Sequence, residues 1–194
     1  MQISANRATH LVMDTALAEA WTTDRFLAWE DKQEGKHEFD GQRVITMTGG
    51  SLGHQRIVFN LMVALTGLLD GQAFQPAHEM HVRIGGKVRY PDVCIFSGGF
   101  DQTVRTLTDA IAIFEVLSDD TATTDRVEKL LDYAAVPSLR SYVLLEQTAV
   151  AVTLFQREGG GVWIASAHTG GTLVLPGMDI SLSLPDLYRG LTFP

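Results

Sequence analysis

The sequence predicts a domain of the α/β (α+β) class, in which helices flank a mixed β-sheet with β-hairpins. Hairpin patterns near both ends of the chain exclude a purely parallel sheet. Apolar residues recur at helical spacing over 52–69 and 123–135. The nearly continuous apolar run at 111–117 is typical of a strand buried on both faces. Together these features favour a mixed sheet with helices packed on it.

The predicted domain spans 23–194 and follows an N-terminal extension at 1–22. Eleven elements are expected, in the order αββαβββαβββ. They are a helix at 23–33, strands at 37–39 and 43–48, a helix at 52–69, strands at 79–84, 88–97 and 111–117, a helix at 123–135, and strands at 140–146, 149–156 and 162–166. Residues 172–190 are expected to add short strands and a helical turn.

Capping and turn residues support the ends of the N-terminal elements. Thr22 and Thr23 can cap the first helix and Ser51 the second, because their hydroxyl groups accept hydrogen bonds from unpaired amides. Asp40-Gly41 predicts a type I′ hairpin turn, in which both central residues have positive φ. Gly85-Gly86 marks the turn of the second hairpin.

The composition is that of an ordinary globular protein, with 45% hydrophobic and 20% charged residues. No stretch is apolar enough for a signal peptide or a membrane span, so a cytoplasmic location is expected. The single cysteine, Cys94, excludes an intramolecular disulfide and is expected to be a buried strand thiol. The net charge of −8, from 15 basic and 23 acidic residues, is unusual for a protein that binds a phosphate backbone.

Two acidic residues lie at positions where a carboxylate calls for a structural or functional explanation. Glu115 lies inside the apolar run at 111–117, where a carboxylate is costly unless it is paired or binds a metal. The metal is the favoured interpretation, and a salt bridge to an arginine is the alternative. Asp92 follows Pro91, which marks a strand edge or a bulge that can re-aim the next side chain. For Asp92 a turn or capping role is an equal alternative.

Two acids on adjacent strands that face one cleft would suit a hard divalent cation. Mg²⁺ takes one or two carboxylates together with waters and phosphate oxygens. Such an ion supports phosphodiester hydrolysis, because it activates water and stabilises charge on phosphorus.

The helix at 123–135 carries two competing stripes. The first is apolar and consists of Val127, Leu130, Leu131 and Ala134. The second is polar and consists of Asp125, Lys129 and Tyr133, at i, i+4 and i+8. Because Lys129 points away from the centre of the apolar stripe, the pattern alone favours a solvated lysine. A polar stripe that lines a cleft is the alternative.

Two further patterns suggest other enzyme classes. Residues 49–53 match G-x-S-x-G between a strand and a helix, but a serine hydrolase needs several parallel strands before that point, and there is no room for them. His78 and His81 are three residues apart on a predicted strand and would face opposite sides. No zinc-binding spacing occurs in the sequence.

Taken in order, the motifs resemble the Uma family of restriction-endonuclease-like proteins, within the PD-(D/E)XK nuclease-like superfamily. The resemblance covers about residues 23–155 and depends on the ordered set of motifs, none of which is specific alone. The set comprises Glu38 and Gly41 in HEFDG, MTGGSLGH at 47–54, Pro91-Asp92-Val93, EVLS at 115–118, Asp125, Lys129, Tyr133, Pro137 and 142–145.

The resemblance implies a restriction-endonuclease-like fold and a role for each acid. Asp92 and Glu115 match the metal-binding pair, and Glu38 matches an acid supplied by the N-terminal region. The superfamily lysine normally stands two residues after the second acid, where this chain has Leu117. The resemblance implies that Lys129 on the next helix supplies it instead. His54 also fits the family pattern, with a structural role at the helix start as the alternative.

Two functions follow from these expectations. The first is a DNA endonuclease that depends on Mg²⁺ or Mn²⁺, and by analogy with duplex symmetry it would be a homodimer. The second is a non-catalytic accessory protein that keeps the fold to bind a partner. Intact acids at 38, 92 and 115 favour the first, while the acidic surface and the displaced lysine favour the second. The pair Asp119-Asp120 departs from the proline-containing stretch that the resemblance implies and adds negative charge near the site.

Overall fold

The computed structural model describes residues 20–117 and 123–193, with the side chains of 123–126 excepted. The predicted extension at 1–22 therefore lies almost wholly outside the described residues, as do Asp119-Asp120 and the side chain of Asp125. The division into an extension and one domain stays a prediction. None of the described helices is long and apolar enough to cross a membrane.

The described elements are four α-helices, a short 3₁₀ turn and thirteen strands. They are α1 (Thr23–Glu30), β1 (His37–Phe39), β2 (Val44–Thr46), α2 (Leu52–Leu68), β3 (Phe74–His78), β4 (His81–Ile84), β5 (Lys87–Arg89), β6 (Val93–Ser97), β7 (Thr106–Leu107), β8 (Ala110–Val116), α3 (Thr123–Ala134), β9 (Ser141–Leu145), β10 (Val152–Arg157), the 3₁₀ turn (Gly159–Gly161), β11 (Trp163–His168), β12 (Thr172–Leu175), β13 (Ile180–Ser183) and α4 (Leu184–Leu187).

The strands form a mixed-sheet architecture, as the sequence predicts. A six-stranded sheet has the order β11-β10-β9-β8-β6-β3, and a five-stranded sheet has the order β2-β1-β5-β4-β7. In the first sheet β8 and β9 run parallel while the other neighbours are antiparallel. A two-stranded ribbon, β12-β13, contributes to the same core cluster as α2 and β8.

The six-stranded sheet carries apolar side chains on both faces. Helix α2 covers one face with Ile57, Leu61 and Leu65, all fully buried, in the spacing that the sequence predicts. Tyr133 of α3 belongs to the core cluster on the other face. Strand β8 is buried along its whole length, which confirms the expectation of a strand covered on two sides. Cys94 is buried, also as expected.

The prediction of one continuous strand at 88–97 is wrong, because this segment forms two strands that belong to different sheets. Its first part, β5, forms the Gly85-Gly86 hairpin with β4. Its second part, β6, pairs instead with β8 and with β3, a strand that the sequence pattern does not predict. The division falls at 90–92, where Pro91 has no amide to donate to a ladder. Residues 90–92 therefore connect the five-stranded sheet directly to the six-stranded one.

Two local predictions also need correction. The hairpin at Asp40-Gly41 forms, but only Gly41 has positive φ, at +95°. A two-residue type I′ turn centred on Asp40-Gly41 does not form, because Phe39 pairs with Val44 and the loop between them has four residues. The Asp40 carboxylate accepts hydrogen bonds from the amides of Gln42 and Arg43, at 2.8 Å each, which stabilise this loop. His78 and His81 lie on different strands, β3 and β4, rather than on one.

Candidate active site

Asp92 stands at the junction between the two sheets, directly before β6. Its Oδ2 accepts a hydrogen bond of 2.7 Å from the amide of Val116 on β8. Val93 pairs with Phe114 in the antiparallel register, so the next position outward places Asp92 opposite Glu115. The expectation that the two acids face each other on adjacent strands therefore agrees with the backbone register.

Glu115 is buried, and two groups of α3 donate to it. Its Oε1 accepts from the Tyr133 hydroxyl at 2.9 Å and from Lys129 Nζ at 3.3 Å. Burial raises the pKa of Glu115 to about 7; the Lys129 ammonium opposes this rise, and the charges of Asp92 and Glu38 add to it. The cation beside Glu115 is thus a lysine, and not the arginine considered as its alternative partner.

Lys129 lies beside Glu38 and Glu115, where the resemblance places it, and not in open solvent as the helical pattern alone favours. Its side chain is 13% exposed, and Nζ is 3.5 Å from Glu38 Oε1 as well as near Glu115. The outer face of α3 instead carries Val127, which is 52% exposed, and Leu131, which is 66% exposed. The apolar stripe of the sequence is therefore not the buried face of this helix.

Glu38 on β1 is buried with a donor at each carboxylate oxygen. Oε2 accepts from Arg89 Nη1 at 3.0 Å, and Oε1 accepts from the amide of Tyr90 at 3.0 Å. Arg89 is 1% exposed and also donates to Asp132 on α3 through Nε, at 2.9 Å. The carboxylates of Glu38 and Asp132 hold the pKa of Arg89 above its ordinary value, although burial opposes the charged form.

His54 completes the site from the first turn of α2. Its Nε2 is 3.1 Å from Asp92 Oδ1. Burial opposes charge on the ring, but the hydrogen bond and charge of Asp92 outweigh it and raise the pKa of His54. A Cβ on Gly50 would lie 2.6 Å from Cγ and Nδ1 of this ring, so a glycine at that position leaves the space that the imidazole occupies.

Ser51, the serine of the G-x-S-x-G pattern, has a structural role. It is the N-cap of α2, where its Oγ accepts a hydrogen bond of 3.1 Å from the amide of His54. The same hydroxyl donates to Gln147 Oε1 at 2.5 Å. The cap explains the pattern without a nucleophile.

The residues at the site suit a hard divalent cation better than a zinc ion. Within the part of the chain that the structure describes, no three His, Cys, Asp or Glu side chains are arranged to hold a metal on their own. Mg²⁺ does not require such a set, because one or two carboxylates with waters and phosphate oxygens suffice. The opposed positions of Asp92 and Glu115, and the rise that the charge of Asp92 adds to the pKa of Glu115, fit such an ion.

Three residues near the site were missed or undervalued by sequence reasoning. The sequence patterns assign no role to Arg89 or Asp132, and Tyr133 belongs only to the polar stripe and to the family motifs, without a stated function. A signal was present for two of them, because Asp132 and Tyr133 follow Lys129 at i+3 and i+4 and so share its helix face. Arg89 carried no signal, since its partners come from distant elements.

Comparison with known proteins agrees with this geometry. The sequence model of the family described as "Uma2: Putative restriction endonuclease" matches residues 23–186. The chain belongs to the Uma2 family. The resemblance given by the motifs is thereby confirmed.

This Uma2 protein is also similar to two relatives from Synechocystis and to one solved structure. It is 32% identical over 176 residues to the Synechocystis sp. protein slr1290, which is described as uncharacterized, and covers 92% of that protein. It is 27% identical over 165 residues to the Synechocystis protein sll1609, described likewise, and covers 93% of it. The crystal structure of a "putative nuclease belonging to DUF820" from Anabaena variabilis superimposes with a TM-score of 0.73 at 16% identity. That match covers 87% of this chain and 97% of the other, and it shows the common nuclease-like fold.

Proposed function

We propose that this Uma2 protein is a metal-dependent endonuclease that hydrolyses phosphodiester bonds of DNA, with Asp92 and Glu115 as ligands of Mg²⁺ or Mn²⁺. The observation that carries the proposal is the junction of β6 and β8, where these two acids stand opposite each other. Lys129 Nζ lies 3.3 Å from one of them. Two carboxylates and an ammonium in one partly enclosed place are the groups that metal-assisted phosphoryl chemistry uses.

The protein holds both carboxylates in fixed orientations. The Val116 amide fixes Asp92 Oδ2, and the Tyr133 hydroxyl fixes Glu115 Oε1. A bound Mg²⁺ would supply an activated water and neutralise charge on the phosphate oxygens. These hydrogen bonds lower the cost of binding, because little rotamer freedom remains to be lost.

Lys129 and Glu38 supply the remaining chemistry in this proposal. The Lys129 ammonium positions the attacking water or offsets the charge that develops on the phosphoryl group. Glu38 has a donor at each oxygen already, so its contribution is to hold Lys129. His54 donates toward Asp92 and so helps to orient that ligand.

A cleavage assay on supercoiled plasmid and single-stranded DNA tests the proposal. Wild-type protein is expected to cut with Mg²⁺ or Mn²⁺ and to stop when the metal is chelated. Asp92→Ala should reduce the rate at least a hundredfold. Asp70→Ala, at an exposed position beyond α2, is the matched control and should cut like the wild type. Equal cutting by wild type and Asp92→Ala would refute the proposal.

A non-catalytic accessory protein is the second candidate, and the net charge of −8 favours it. An acidic surface repels DNA unless the basic residues gather on one face. Metal titration separates the candidates, since a ligand of the native state raises the melting temperature by mass action. A metal-dependent rise in the melting temperature together with cleavage supports the enzyme. The absence of both effects supports the accessory protein. A homodimer and a cytoplasmic location remain predictions.

A further inference from the structure

Buried charges beside the site alternate in sign from the surface inward. Lys87 Nζ, on a side chain that is 37% exposed, donates to Asp132 Oδ1 at 2.6 Å. Asp132 Oδ2 accepts from Arg89 Nε at 2.9 Å and also from Nη2. Arg89 Nη1 then reaches Glu38 Oε2 at 3.0 Å. The chain of charges thus connects α3, β5 and β1 through one guanidinium.

The chain continues into the candidate active site. Lys129 Nζ lies 3.5 Å from Glu38 Oε1 and 3.3 Å from Glu115 Oε1. Lys129 and Asp132 are three residues apart on α3 and share one helix face. Whatever fixes Asp132 therefore also fixes the direction in which Lys129 points.

Polar contacts contribute more than usual to the packing of α3 on the rest of the protein. Asp132 is 8% exposed and Tyr133 is fully buried, while Val127 and Leu131 on the outer face are exposed. An amphipathic helix is normally oriented by its apolar face. Here apolar Leu130 is only partly buried, so the rotation of the helix depends on the contacts of its polar face.

We propose that Arg89 and Asp132 are positioning residues, which fix the rotation of α3 and so hold Lys129 between Glu38 and Glu115. Arg89 suits this task because its planar fork reaches two carboxylates on different elements at once. A lysine at 89 would keep the charge but present a single ammonium. The role of Lys129 in catalysis rests on the proposed function. The placement of Lys129 between the two acids is tested without DNA.

Trace acetylation of lysines, read by mass spectrometry on the full-length native protein, tests the proposal. In the wild type, Lys129 should react at least tenfold more slowly than the exposed Lys32. Arg89→Lys and Asp132→Asn should each raise the reactivity of Lys129 at least fivefold and leave Lys32 unchanged. Asp132→Glu, which restores the charge, should restore slow labelling. A merely structural role would not distinguish Asp132→Asn from Asp132→Glu in this way.

The control is Arg83→Lys, because Arg83 bonds Asp24 in a solvent-exposed pair at 2.7 Å, away from this chain of charges. It should leave the Lys129 rate unchanged. If the Arg89 variant fails to fold, Lys87→Met removes the donor to Asp132 that comes from the surface and should still raise Lys129 labelling at least twofold. Unchanged Lys129 labelling in the folded variants would overturn the proposal. Wild-type protein that cuts no DNA would instead refute the nuclease function and leave the labelling result to decide the role of Arg89 and Asp132.

Discussion

Replacement of Glu115 by glutamine separates a metal ligand from a structural ion pair. Glutamine keeps the shape and an acceptor oxygen for the Tyr133 hydroxyl and Lys129, so packing is preserved. It removes only the charge. If burial and neighbouring acids make that charge unfavourable without metal, the variant should be as stable as the wild type or more stable.

The size and pH range of the effect follow from the pKa of Glu115. A rise from 4.5 to about 7 in the native state corresponds to about 3 kcal/mol of folding free energy. Because the native pKa is raised, this stability is present below the unfolded pKa and is lost as the pH rises through 7. The advantage of Glu115→Gln over the wild type should therefore be small at pH 5 and reach its full value, up to about 3 kcal/mol, above pH 7.

Urea unfolding in the presence of a chelator at pH 5, 7 and 8 measures the difference. Glu34→Gln, at an exposed position, is the matched control and should show no such pH dependence. With Mn²⁺ at a hundred times its dissociation constant, the wild type should gain about 2.7 kcal/mol and Glu115→Gln much less. A large loss of stability in metal-free Glu115→Gln at pH 8 would show that the Lys129 pair is structural, and the reasoning would fail.

Substitutions at two further positions, Lys129 and Gly50, probe the neighbours of the acids. Lys129→Ala should reduce DNA cleavage at least a hundredfold while the metal dissociation constant changes less than tenfold. Lys129→Arg should not fully restore cleavage, since a guanidinium does not copy a compact ammonium. A cleavage rate of Lys129→Ala within threefold of wild type would show that Lys129 takes no part in the reaction. Gly50→Ala places a Cβ 2.6 Å from the His54 ring, so it should destabilise the protein by about 1–3 kcal/mol and weaken metal binding. Calorimetric unfolding together with metal titration checks this, and full stability with unchanged metal affinity would show that the ring does not support Asp92.

The parts of the fold that depend on local pattern could be predicted from the sequence. Ser51 caps α2 and the buried face of that helix follows its apolar spacing, because both depend on residues within a few turns. The buried strand β8 was predicted for the same reason. The division at Pro91 was not, because which sheet a strand joins depends on partners far along the chain. Strand β3 contains Pro76 and lacks the alternation that marks a strand, so it gave little local signal.

The helix α3 itself was predicted, but the apolar pattern indicated the wrong buried face, for a physical reason that concerns the site itself. Counting apolar residues assumes that burial is driven by apolar area, which holds for most helices. In α3 the buried polar face is stabilised by paired charges and hydrogen bonds, and Val127 and Leu131 remain exposed. Places where local rules fail in this way are expected at functional sites.

The position of the lysine explains why so many charges are buried here. Two residues after Glu115 the chain has Leu117, which is buried in the core cluster that also contains Tyr133, so a lysine there would lose that apolar contact. A lysine carried by a helix can reach Glu115 only if the helix is held in one rotation, because a turn of one residue moves its side chain by about 100°. Arg89 supplies that constraint from the five-stranded sheet, because it bonds both Glu38 on β1 and Asp132 on α3. The acidic residues around this site are therefore not all repulsive to a phosphate substrate, since Glu38 and Asp132 are already neutralised by cations inside the protein.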